Sequence, residues 1–372
     1  MAEIHPIVMP KWGLAMQEGM LAAWHVAEGE AIAKGQEIAD IETSKIANAF
    51  ESPVAGPLRR RLVGEGETVP VGALLAVVAD ASIGDDAIDS FVHEFQASFA
   101  ASAAEAAEAA PEPELIDAGG RRLRYLKLGE ADGTPVLFIH GFGGDLNNWL
   151  FNQPALAEHH TTYALDLPGH GGSSKEVGTG DVAAMTAAVQ DFMAAVGIAR
   201  AHLVGHSLGG AISLDLALTD PERVASVTAV APAALGPEIS IAYIDGFIGT
   251  SRARKLKSIL EMLVYDPDLV TNDMVEDVLR YKRLDGVDGA LTKVASVCFA
   301  GGRQALLLKP RLAELKMPAQ VVWGREDRIL PVAHGEGLPA AVTLAVLDQA
   351  GHLVHMEKAA DVNALIARLA AG

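Results

Sequence analysis

The first 79 residues alternate short apolar runs with polar turns, and glycines separate most of the runs. Short strands at regular turn spacing are typical of a small all-β domain. Residues 20–41 and 57–78 share one layout, in which an apolar run, a charged turn containing glycine and a second apolar run follow one another. The pattern predicts two similar halves that face each other in a flattened barrel or sandwich over residues 1–79.

Residues 80–114 have the composition of a linker, with nine acidic side chains, eleven alanines and no lysine or arginine. Such a segment is well solvated and repels itself. Five apolar residues nevertheless fall at helical spacing on one face: Ile88, Phe91, Val92, Phe95 and Phe99. The spacing predicts an amphipathic helix over 88–99. The helix either packs on its own domain or serves in docking or self-association, because a helix this short needs a surface to lie on.

From about residue 115 to residue 372, short apolar runs alternate with helix-length segments. The predicted strands lie at 135–139, 162–167, 201–204, 224–230, 319–322 and 342–347, with helices such as 181–196 and 209–217 between them. This alternation predicts an α/β fold with a mainly parallel sheet and helices on both faces. Residues from about 236 to 308 interrupt the alternation and are mostly helix-like, so we expect an inserted helical cap over the carboxyl edge of the sheet.

Composition narrows the class of protein. The chain has 372 residues, of which 50% are hydrophobic and 21% charged, as in ordinary globular proteins. The net charge of −19 argues against nucleic acid as a partner. The N-terminal sequence lacks signal-peptide features and no apolar run reaches transmembrane length, so we expect no membrane partner. The single cysteine, Cys298, excludes an intramolecular disulfide and a cysteine-based metal site, and it fits a reducing compartment, which we take to be the cytoplasm.

A lysine between two apolar runs gives the first chemical signal. The segment DIETSKIA, residues 40–47, puts Lys45 at the expected tip of a hairpin. A lysine there projects from the fold, so its amine can be acylated by a long flexible prosthetic group, and acylation removes its charge. By itself, an exposed lysine in a turn is usually a solvated charge.

The whole of residues 1–79 resembles the lipoyl domain of 2-oxo acid dehydrogenase complexes. The matching features are Met9-Pro10, Gly13-Leu14-Ala15-Met16, Glu18-Gly19, Glu42-Thr43-Ser44-Lys45, Ser52-Pro53 with Gly56, and Gly64 with Gly66. Ser44 departs from the acidic residue that is usual in the family. Biotin carriers have a methionine on each side of the lysine, where this chain has Ser44 and Ile46. The resemblance therefore implies lipoate bound covalently to Lys45, attached by a lipoyl ligase or transferase.

The pentapeptide Gly205-His206-Ser207-Leu208-Gly209 has the G-x-S-x-G pattern of a nucleophile elbow, between a predicted strand and a predicted helix. A serine hydroxyl needs a general base, and an acid and then a histidine are expected to follow such a serine along the chain. His352 follows the last predicted strand and is the candidate base. His355, expected on the surface of the terminal helix, is its competitor. Asp327 follows the preceding strand as the candidate acid, with Glu326 as the local alternative.

The backbone N–H groups of Leu208 and Phe142 are the candidate oxyanion donors. One donor should follow the nucleophile, and the other should lie on the loop after the first central strand. We expect His140 to shape that loop through a hydrogen bond and Asp166 to brace the next strand end. Together these motifs resemble the α/β-hydrolase superfamily over about residues 115–372, which implies its fold and a Ser–Asp–His triad.

A carrier domain and a serine acyl-transfer site on one chain resemble the acetyltransferase components of acetoin dehydrogenase complexes. The resemblance implies that an acetyl group passes from the lipoyl arm on Lys45 to coenzyme A as co-substrate. It also implies two partners, a thiamine-diphosphate-dependent acetoin-cleaving enzyme and dihydrolipoamide dehydrogenase, and we expect a homo-oligomer. The chain departs from ordinary 2-oxo acid dehydrogenase acyltransferases in lacking both an H-x-x-x-D-G motif and a recognisable peripheral subunit-binding domain.

Two other functions stay open at this point. The triad alone fits a serine esterase or thioesterase, because water and a thiol attack the same acyl-serine. The hydrolase-fold domain could also serve mainly in assembly, although an intact triad argues against that.

The phosphates of coenzyme A need cations. The densest basic cluster of the hydrolase-like half lies near the start of the cap: Arg252, Arg254, Lys255 and Lys257. Arginine suits phosphate geometry, and such a cluster could steer phosphates toward the active-site edge. The alternative is a solvated helix face.

Overall fold

The computed structural model describes residues 4–10, 18–42, 47–108 and 111–371. The chain divides into two compact units, Met1–Ala110 and Pro111–Gly372. Within the described ranges, no helix is both long enough and apolar enough to cross a membrane. Cys298 is buried, at 5% exposure, and burial raises the pKa of its thiol to about 12.

The described part of the first unit contains eight short strands. They are β1 (Ile4–Val8), β2 (Glu18–Trp24), β3 (Ala31–Ile32), β4 (Glu37–Glu42), β5 (Ala47–Glu51), β6 (Gly56–Arg61), β7 (Glu67–Pro70) and β8 (Leu74–Ala79). Two antiparallel four-stranded sheets result, with strand orders β1-β8-β6-β3 and β5-β4-β2-β7. The prediction of a small all-β domain is confirmed.

The core of this unit is built from inward-facing side chains of both sheets. Ile7, Leu21, Ile38, Ile41 and Leu58 all have 0% exposure and belong to one apolar cluster. Alternate residues of a strand point to opposite faces, which is why the apolar residues of these short runs meet.

Strands β4 and β5 are neighbours in their sheet, and Glu42 lies opposite Ala47. The connection between the two strands, residues 43–46, lies outside the described residues. The predicted attachment point, Lys45, is part of that connection.

A long helix follows the eighth strand and packs on the same unit. Helix α1 spans Asp85–Glu108, whereas the apolar stripe predicted only 88–99. The stripe marks the part that is held by packing, and the alanine- and glutamate-rich sequence beyond it has a high helix propensity. Ile88 is 0% exposed and lies in one cluster with Leu74 and Val77. The helix therefore packs on its own domain, the first of the two alternatives.

Charged contacts fix the start of this helix. One terminal nitrogen of Arg59 lies 3.0 Å from an oxygen of Asp85. The other terminal nitrogen donates to the backbone oxygens of Asp80 and Ile83, each at 2.9 Å. Arg60 adds an ion pair with Asp89 at 3.3 Å.

The second unit is built on an eight-stranded sheet of order β16-β15-β14-β13-β11-β12-β10-β9. Its strands are β9 (Glu114–Ala118), β10 (Arg121–Leu128), β11 (Val136–Ile139), β12 (Thr162–Leu165), β13 (Ala201–His206), β14 (Val224–Val230), β15 (Ala319–Gly324) and β16 (Val342–Leu347). Strands β11 to β16 pair in parallel. The prediction of a mainly parallel sheet is confirmed, but β9 and β10 form an antiparallel edge that the sequence did not indicate.

Nine α-helices accompany the sheet in the described residues, besides several short 3-10 helices. They are α2 (Gln153–Ala157), α3 (Val182–Ala195), α4 (Leu208–Thr219), α5 (Ile241–Gly249), α6 (Ala253–Leu260), α7 (Asn272–Lys282), α8 (Val287–Cys298), α9 (Val354–Glu357) and α10 (Ala359–Ala370). Helices α5 to α8 lie between β14 and β15 along the chain and form a cap, within the segment predicted for one.

The sheet is buried on both faces. Along β11, Leu137 and Ile139 join one apolar cluster with residues of α3 and α4, whereas Val136 and Phe138 join a second cluster with residues of α2 and α10. Neighbouring residues of a strand point to opposite faces, so a sheet covered on both sides needs continuous apolar runs. This explains why the central strands read as uninterrupted apolar segments.

Candidate active site

Ser207 lies on a sharp turn between strand β13, which ends at His206, and helix α4, which begins at Leu208. Its φ of +53° is left-handed, a conformation that is rare for a residue with a side chain. Gly205 and Gly209 allow the turn, because a Cβ on Gly205 would collide with the backbone of Gly209, and a Cβ on Gly209 would collide with that of Ile139. This is the geometry that a nucleophile elbow requires.

His352 and Asp327 meet at the ends of two parallel strands. Asp327 follows β15, His352 follows β16, and the Nδ1 of His352 lies 2.8 Å from an oxygen of Asp327. Both side chains are almost completely buried, at 3% and 0% exposure. Because a carboxylate accepts hydrogen bonds, Nδ1 of His352 carries the proton in this pair. The other ring nitrogen, Nε2, is therefore unprotonated and can accept a proton.

The carboxylate of Asp327 is held by three further donors. The indole N–H of Trp323 donates to the oxygen that also faces His352, at 2.9 Å. The other oxygen accepts the backbone N–H groups of Ile329 and Leu330, at 2.8 and 3.0 Å. The alternative acid, Glu326, is directed elsewhere and accepts the backbone N–H of Ala350 at 3.1 Å.

The competing histidine, His355, is not on the surface, and that expectation was wrong. It lies in the short helix α9 with 0% exposure, and its ring lies between those of Trp149 and His206, with centroid distances of 4.6 and 4.5 Å. Burial lowers its pKa to about 3. The sequence pattern missed this because the covering elements lie about 150–200 residues earlier in the chain.

The loop after β11 carries Phe142, and hydrogen bonds of the His140 ring stabilise it. The Nε2 of His140 accepts the backbone N–H of Leu167 at 3.0 Å. Its Nδ1 must therefore carry the proton, and it lies 2.7 Å from the backbone oxygen of Gly141. Burial lowers the pKa of His140 to about 4, so the ring stays neutral. The expected loop-shaping hydrogen bond of His140 is confirmed.

Asp166 braces the same region. Its two carboxylate oxygens accept the backbone N–H groups of Leu146 and Gly172, each at 2.7 Å, and Arg124 lies 3.5 Å away. The side chain is fully buried. It therefore fixes the turn rather than facing the cavity, as expected.

A cavity of about 340 Å³ lies beside the elbow serine. Ser207 and His352 line it, together with the loop that carries Phe142. Cap helices supply much of the remaining wall, including Phe247, Leu260 and Val278. The ring of Phe142 meets those of Phe247 and Phe299 edge-on, at 6.0 and 5.9 Å.

The polar part of the wall is neutral or acidic. It includes Asn147, Asn148, Asp145 and Asp277, and among the described residues no lysine or arginine lines this cavity. Burial and the nearby Asp166 raise the pKa of Asp145 to about 6.

The basic cluster predicted for coenzyme A lies at the start of α6. Arg252, Arg254 and Lys255 are exposed and Lys257 is half-buried. None of the four lines the cavity, although Leu260 of the same helix does. Ser207, His352 and Phe142 thus line one cavity, Asp327 is hydrogen-bonded to His352, and Leu208 directly follows Ser207 in the chain without lining the cavity. The basic cluster lies outside it.

Comparison with known proteins agrees with the two-unit architecture. Residues 134–359 match the family model described as alpha/beta hydrolase fold, and residues 5–78 match the model described as biotin-requiring enzyme. The solved structure of a meta-cleavage product hydrolase from Pseudomonas fluorescens covers 69% of this chain and 96% of its own, with 25% identity and a TM-score of 0.62. A 2-hydroxy-6-oxo-6-phenylhexa-2,4-dienoate hydrolase from Rhodococcus has a TM-score of 0.63 at 23% identity, covering 70% and 99% of the two chains.

Two relatives span nearly the whole chain. The dihydrolipoyllysine-residue acetyltransferase component of the acetoin cleaving system from Pseudomonas putida is 47% identical over 363 residues, 98% of this chain and 97% of its own. The protein of the same name from Cupriavidus necator is 47% identical over 363 residues, 98% and 96% of the two chains. The first unit is accordingly a lipoyl domain and the second an α/β-hydrolase-fold domain, and the chain belongs to the acetoin-system family of dihydrolipoyllysine-residue acetyltransferases, which are acyltransferases.

Proposed function

We propose that this acyltransferase moves an acetyl group from a lipoyl arm on Lys45 to the thiol of coenzyme A, through an acyl-enzyme on Ser207. One observation carries the proposal: the elbow serine and His352, which is hydrogen-bonded to the buried Asp327, line one largely apolar cavity, on a chain that also has a lipoyl domain. When attached, the lipoyl group supplies the thiol that carries the acetyl unit.

In the first half-reaction, His352 Nε2 takes the proton of the Ser207 hydroxyl as the serine oxygen bonds to the thioester carbonyl carbon. The carbonyl electron pair moves onto its oxygen, and the resulting negative charge faces the N–H groups of Phe142 and Leu208. His352 would then give its proton to the departing sulfur as the C–S bond breaks. The acetyl group remains on Ser207 as an ester.

The second half-reaction reverses these roles. His352 takes the proton of the coenzyme A thiol, and the sulfur bonds to the acyl carbon. Ser207 leaves with the proton from His352, and the product is acetyl-coenzyme A. Throughout, the hydrogen bond from His352 Nδ1 to Asp327 holds the ring in one orientation, and the Asp327 carboxylate stabilises the imidazolium that forms.

The cavity fits the neutral aliphatic end of a lipoyl arm. Its wall is largely apolar, with Phe247, Leu260, Leu263 and Val278 among the residues that line it. Its volume of about 340 Å³ falls within the usual range for small-molecule sites, roughly 300–1,000 Å³. The half-buried carboxyl group of Asp145 and amide group of Asn148 suit neutral partners better than phosphates, so we propose that the phosphates of coenzyme A stay outside.

The decisive experiment follows S-acetyldihydrolipoamide with and without coenzyme A. Transfer predicts that coenzyme A accelerates loss of the thioester and appears acetylated in the mass spectrum. Ser207→Ala should abolish this, whereas Ser296→Ala, an exposed serine of the cap, should behave as wild type. Transfer that persists in Ser207→Ala contradicts the covalent route and leaves direct activation of the thiol by His352.

A serine hydrolase is the second candidate, because hydrolases share the fold of the second unit. A 2-hydroxy-6-oxo-6-phenylhexa-2,4-dienoate hydrolase from Burkholderia cepacia is 31% identical over 248 residues, 63% of this chain. Water would then attack the acyl-serine. The same experiment separates the two functions, since hydrolysis yields acetate at a rate that coenzyme A leaves unchanged.

The carrier half has its own test. Intact-mass analysis from a lipoate-replete host should show one lipoyl-sized increment at Lys45. Lys45→Arg should remove it, and Lys34→Arg, at an exposed lysine of the same unit, should not. An unmodified Lys45 in the presence of a lipoyl ligase contradicts the carrier role.

The relatives are named as components of an acetoin cleaving system. We propose that this chain works in the same way with a thiamine-diphosphate-dependent acetoin-cleaving enzyme and dihydrolipoamide dehydrogenase, in the cytoplasm and as a homo-oligomer. Lys45→Arg should stop flux through the assembled system and spare transfer from a free dihydrolipoamide thioester.

A further inference from the structure

The ring of Phe247, on cap helix α5, packs against the loop that carries the candidate oxyanion donor. Phe247 is 1% exposed, and its ring meets that of Phe142 edge-on with the centroids 6.0 Å apart. Gly143, which follows Phe142 in the loop, has a φ of +75°, and a Cβ at this position would lie 2.6 Å from two atoms of the Phe247 ring. The ring thus fills the space beside Phe142 and Gly143 and limits the movement of this loop.

A lysine holds the end of the helix that carries this ring. The last carbonyl groups of a helix have no intrahelical donor, and α5 ends at Gly249 with Thr250 as its C-cap. Lys282 Nζ donates to the backbone oxygens of Phe247, of Ile248 at 3.2 Å and of Thr250 at 2.8 Å. An ammonium group has three N–H donors, so these three carbonyls use all of them.

The same ammonium also contacts the Phe247 ring directly. Its Nζ lies 4.9 Å from the ring centroid, within the range of a cation–π interaction. A positive charge at a helix C-terminus is favourable as well, because the helix dipole is negative there. Lys282 is half-buried, so these contacts are partly shielded from water.

Lys282 is itself anchored, because it is the last residue of α7. The preceding residue, Tyr281, donates its hydroxyl to the backbone oxygen of Gly169 at 3.0 Å. Gly169 belongs to the turn after β12, outside the cap. A continuous set of contacts therefore runs from that turn through α7 and Lys282 to the end of α5 and the Phe247 ring.

We propose that Lys282 is a positioning residue for acyl transfer: by fixing the end of α5 it keeps Phe247 against the loop and keeps the Phe142 N–H aimed at the carbonyl oxygen of the acyl group. This role rests on the proposed function of Ser207. Lys282 touches no reacting atom and acts through Phe247.

The test uses the full-length lipoylated protein and S-acetyldihydrolipoamide, with active sites counted by a serine-directed titrant. Lys282→Met keeps the apolar stem and removes the donors. It should lower kcat per active site about tenfold, less than the hundredfold or more expected on removal of an oxyanion donor, and leave the KM for the thioester within twofold. Lys282→Arg should recover part of the rate, because it keeps the charge in a different geometry. Lys293→Met, at an exposed lysine of α8, is the matched control and should behave as wild type.

A second readout separates positioning from a structural role. A trifluoromethyl ketone forms a tetrahedral adduct with an active serine, and its affinity reports how well the oxyanion is held. In Lys282→Met this affinity should fall by the same factor as kcat. A merely structural loss would reduce the number of titratable sites and leave the affinity per site unchanged, which would overturn the proposal.

Coupling to Phe247 gives the last check. Phe247→Leu should lower kcat by a similar factor, and the double variant should be no worse than the poorer single variant, because residues that act through one another are not additive. Additive losses, or a per-site rate for Lys282→Met within twofold of wild type, would overturn the proposal. If Lys282→Met does not fold, Lys282→Gln is measured in the same way with the same two outcomes. Failure of the proposed function appears separately, as transfer that survives Ser207→Ala.

Discussion

The ring of His206 packs against that of His352 at a tilt of 56°, with the ring centroids 4.6 Å apart, and the Nε2 of His206 lies 3.0 Å from the backbone oxygen of His352. Because a carbonyl oxygen only accepts, the His206 Nε2 carries the proton in this hydrogen bond. Burial, with the neighbouring histidines, holds the pKa of His206 well below its ordinary value. A neutral ring therefore supports the candidate base without adding a competing charge.

The buried histidines predict a pH-dependent stability. Burial lowers the pKa of His355 to about 3, and the unfolded chain titrates it near 6.5. Between these values the unfolded state binds the extra proton, so the free energy of unfolding falls as pH decreases, by up to about 1.4 kcal/mol per pH unit for this group. His355→Phe should flatten that slope in urea titrations between pH 7 and pH 5. His159→Phe, at an exposed histidine, should not, and equal slopes in the wild type and His355→Phe would contradict the assignment.

Removing either reacting member of the proposed triad should abolish most of the chemistry. Ser207→Ala and His352→Ala should each lower kcat by up to about a millionfold, and the losses should not add in the double variant. Asp327→Asn should cost as much or less, because an amide favours the wrong tautomer of His352.

The matched control for the acid is Glu326→Gln, because Glu326 accepts the Ala350 N–H and does not face His352. Single-turnover kinetics with S-acetyldihydrolipoamide measure the four single variants and the double variant. A large loss in Glu326→Gln together with a normal rate in Asp327→Asn would reverse the assignment of the acid.

Charge reversal of the exposed basic cluster tests its proposed role toward coenzyme A. Arg252→Glu with Arg254→Glu should raise the KM for coenzyme A, and the effect should shrink at high salt because exposed charges are screened. Hydrolysis of a small neutral ester should stay unchanged, since neither residue lines the cavity. Lys316→Glu, at an exposed site outside the cap, is the control. An unchanged KM removes the cluster from the binding site, and a parallel loss of both activities indicates damage to the cap.

The packing of α1 predicts that this helix stabilises the lipoyl domain. Ile88 is fully buried against Leu74 and Val77. Ile88→Ala should therefore cost about 2–5 kcal/mol of that unit's unfolding free energy, whereas Ser98→Ala, at an exposed position of the same helix, should change little. Hydrogen exchange at the β8 amides measures the effect within the full chain. Exchange at β8 that is equal in both variants would mean that the helix contributes no stability.

The strands that could be predicted from the sequence are those with an uninterrupted run of apolar residues. Central strands such as β11 are apolar throughout, because they are covered on both sides, and they stand out in the sequence. Strand β10, RRLRYLKL, lies next to the edge strand β9. Four of its eight residues are charged, so it lacks the continuous apolar run by which the central strands were recognised. Helix α1 was predicted too short, because its apolar stripe covers only the packed part.

In the candidate active site, the features set by local sequence were predictable and those formed by distant residues were not. Ser207 was predictable from five consecutive residues, because the elbow is a local structure. Asp327 and His352 followed from their positions after successive strands. The cap wall was not predictable, since Phe247 and Lys282 lie 35 residues apart and meet only in the folded cap.

The carboxylate of Asp327 accepts hydrogen bonds from Trp323, Ile329, Leu330 and His352. All three donors other than His352 belong to β15 or the turn that follows it, so the anion and its dipoles are immobilised together when the chain folds. In the proposed reaction, His352 becomes positively charged when it gains a proton, and the Asp327 carboxylate that stabilises this charge is already in place. Little solvent or protein reorganisation remains for the moment of transfer. The free-energy cost of orienting these dipoles is met at folding, once, instead of in each catalytic cycle.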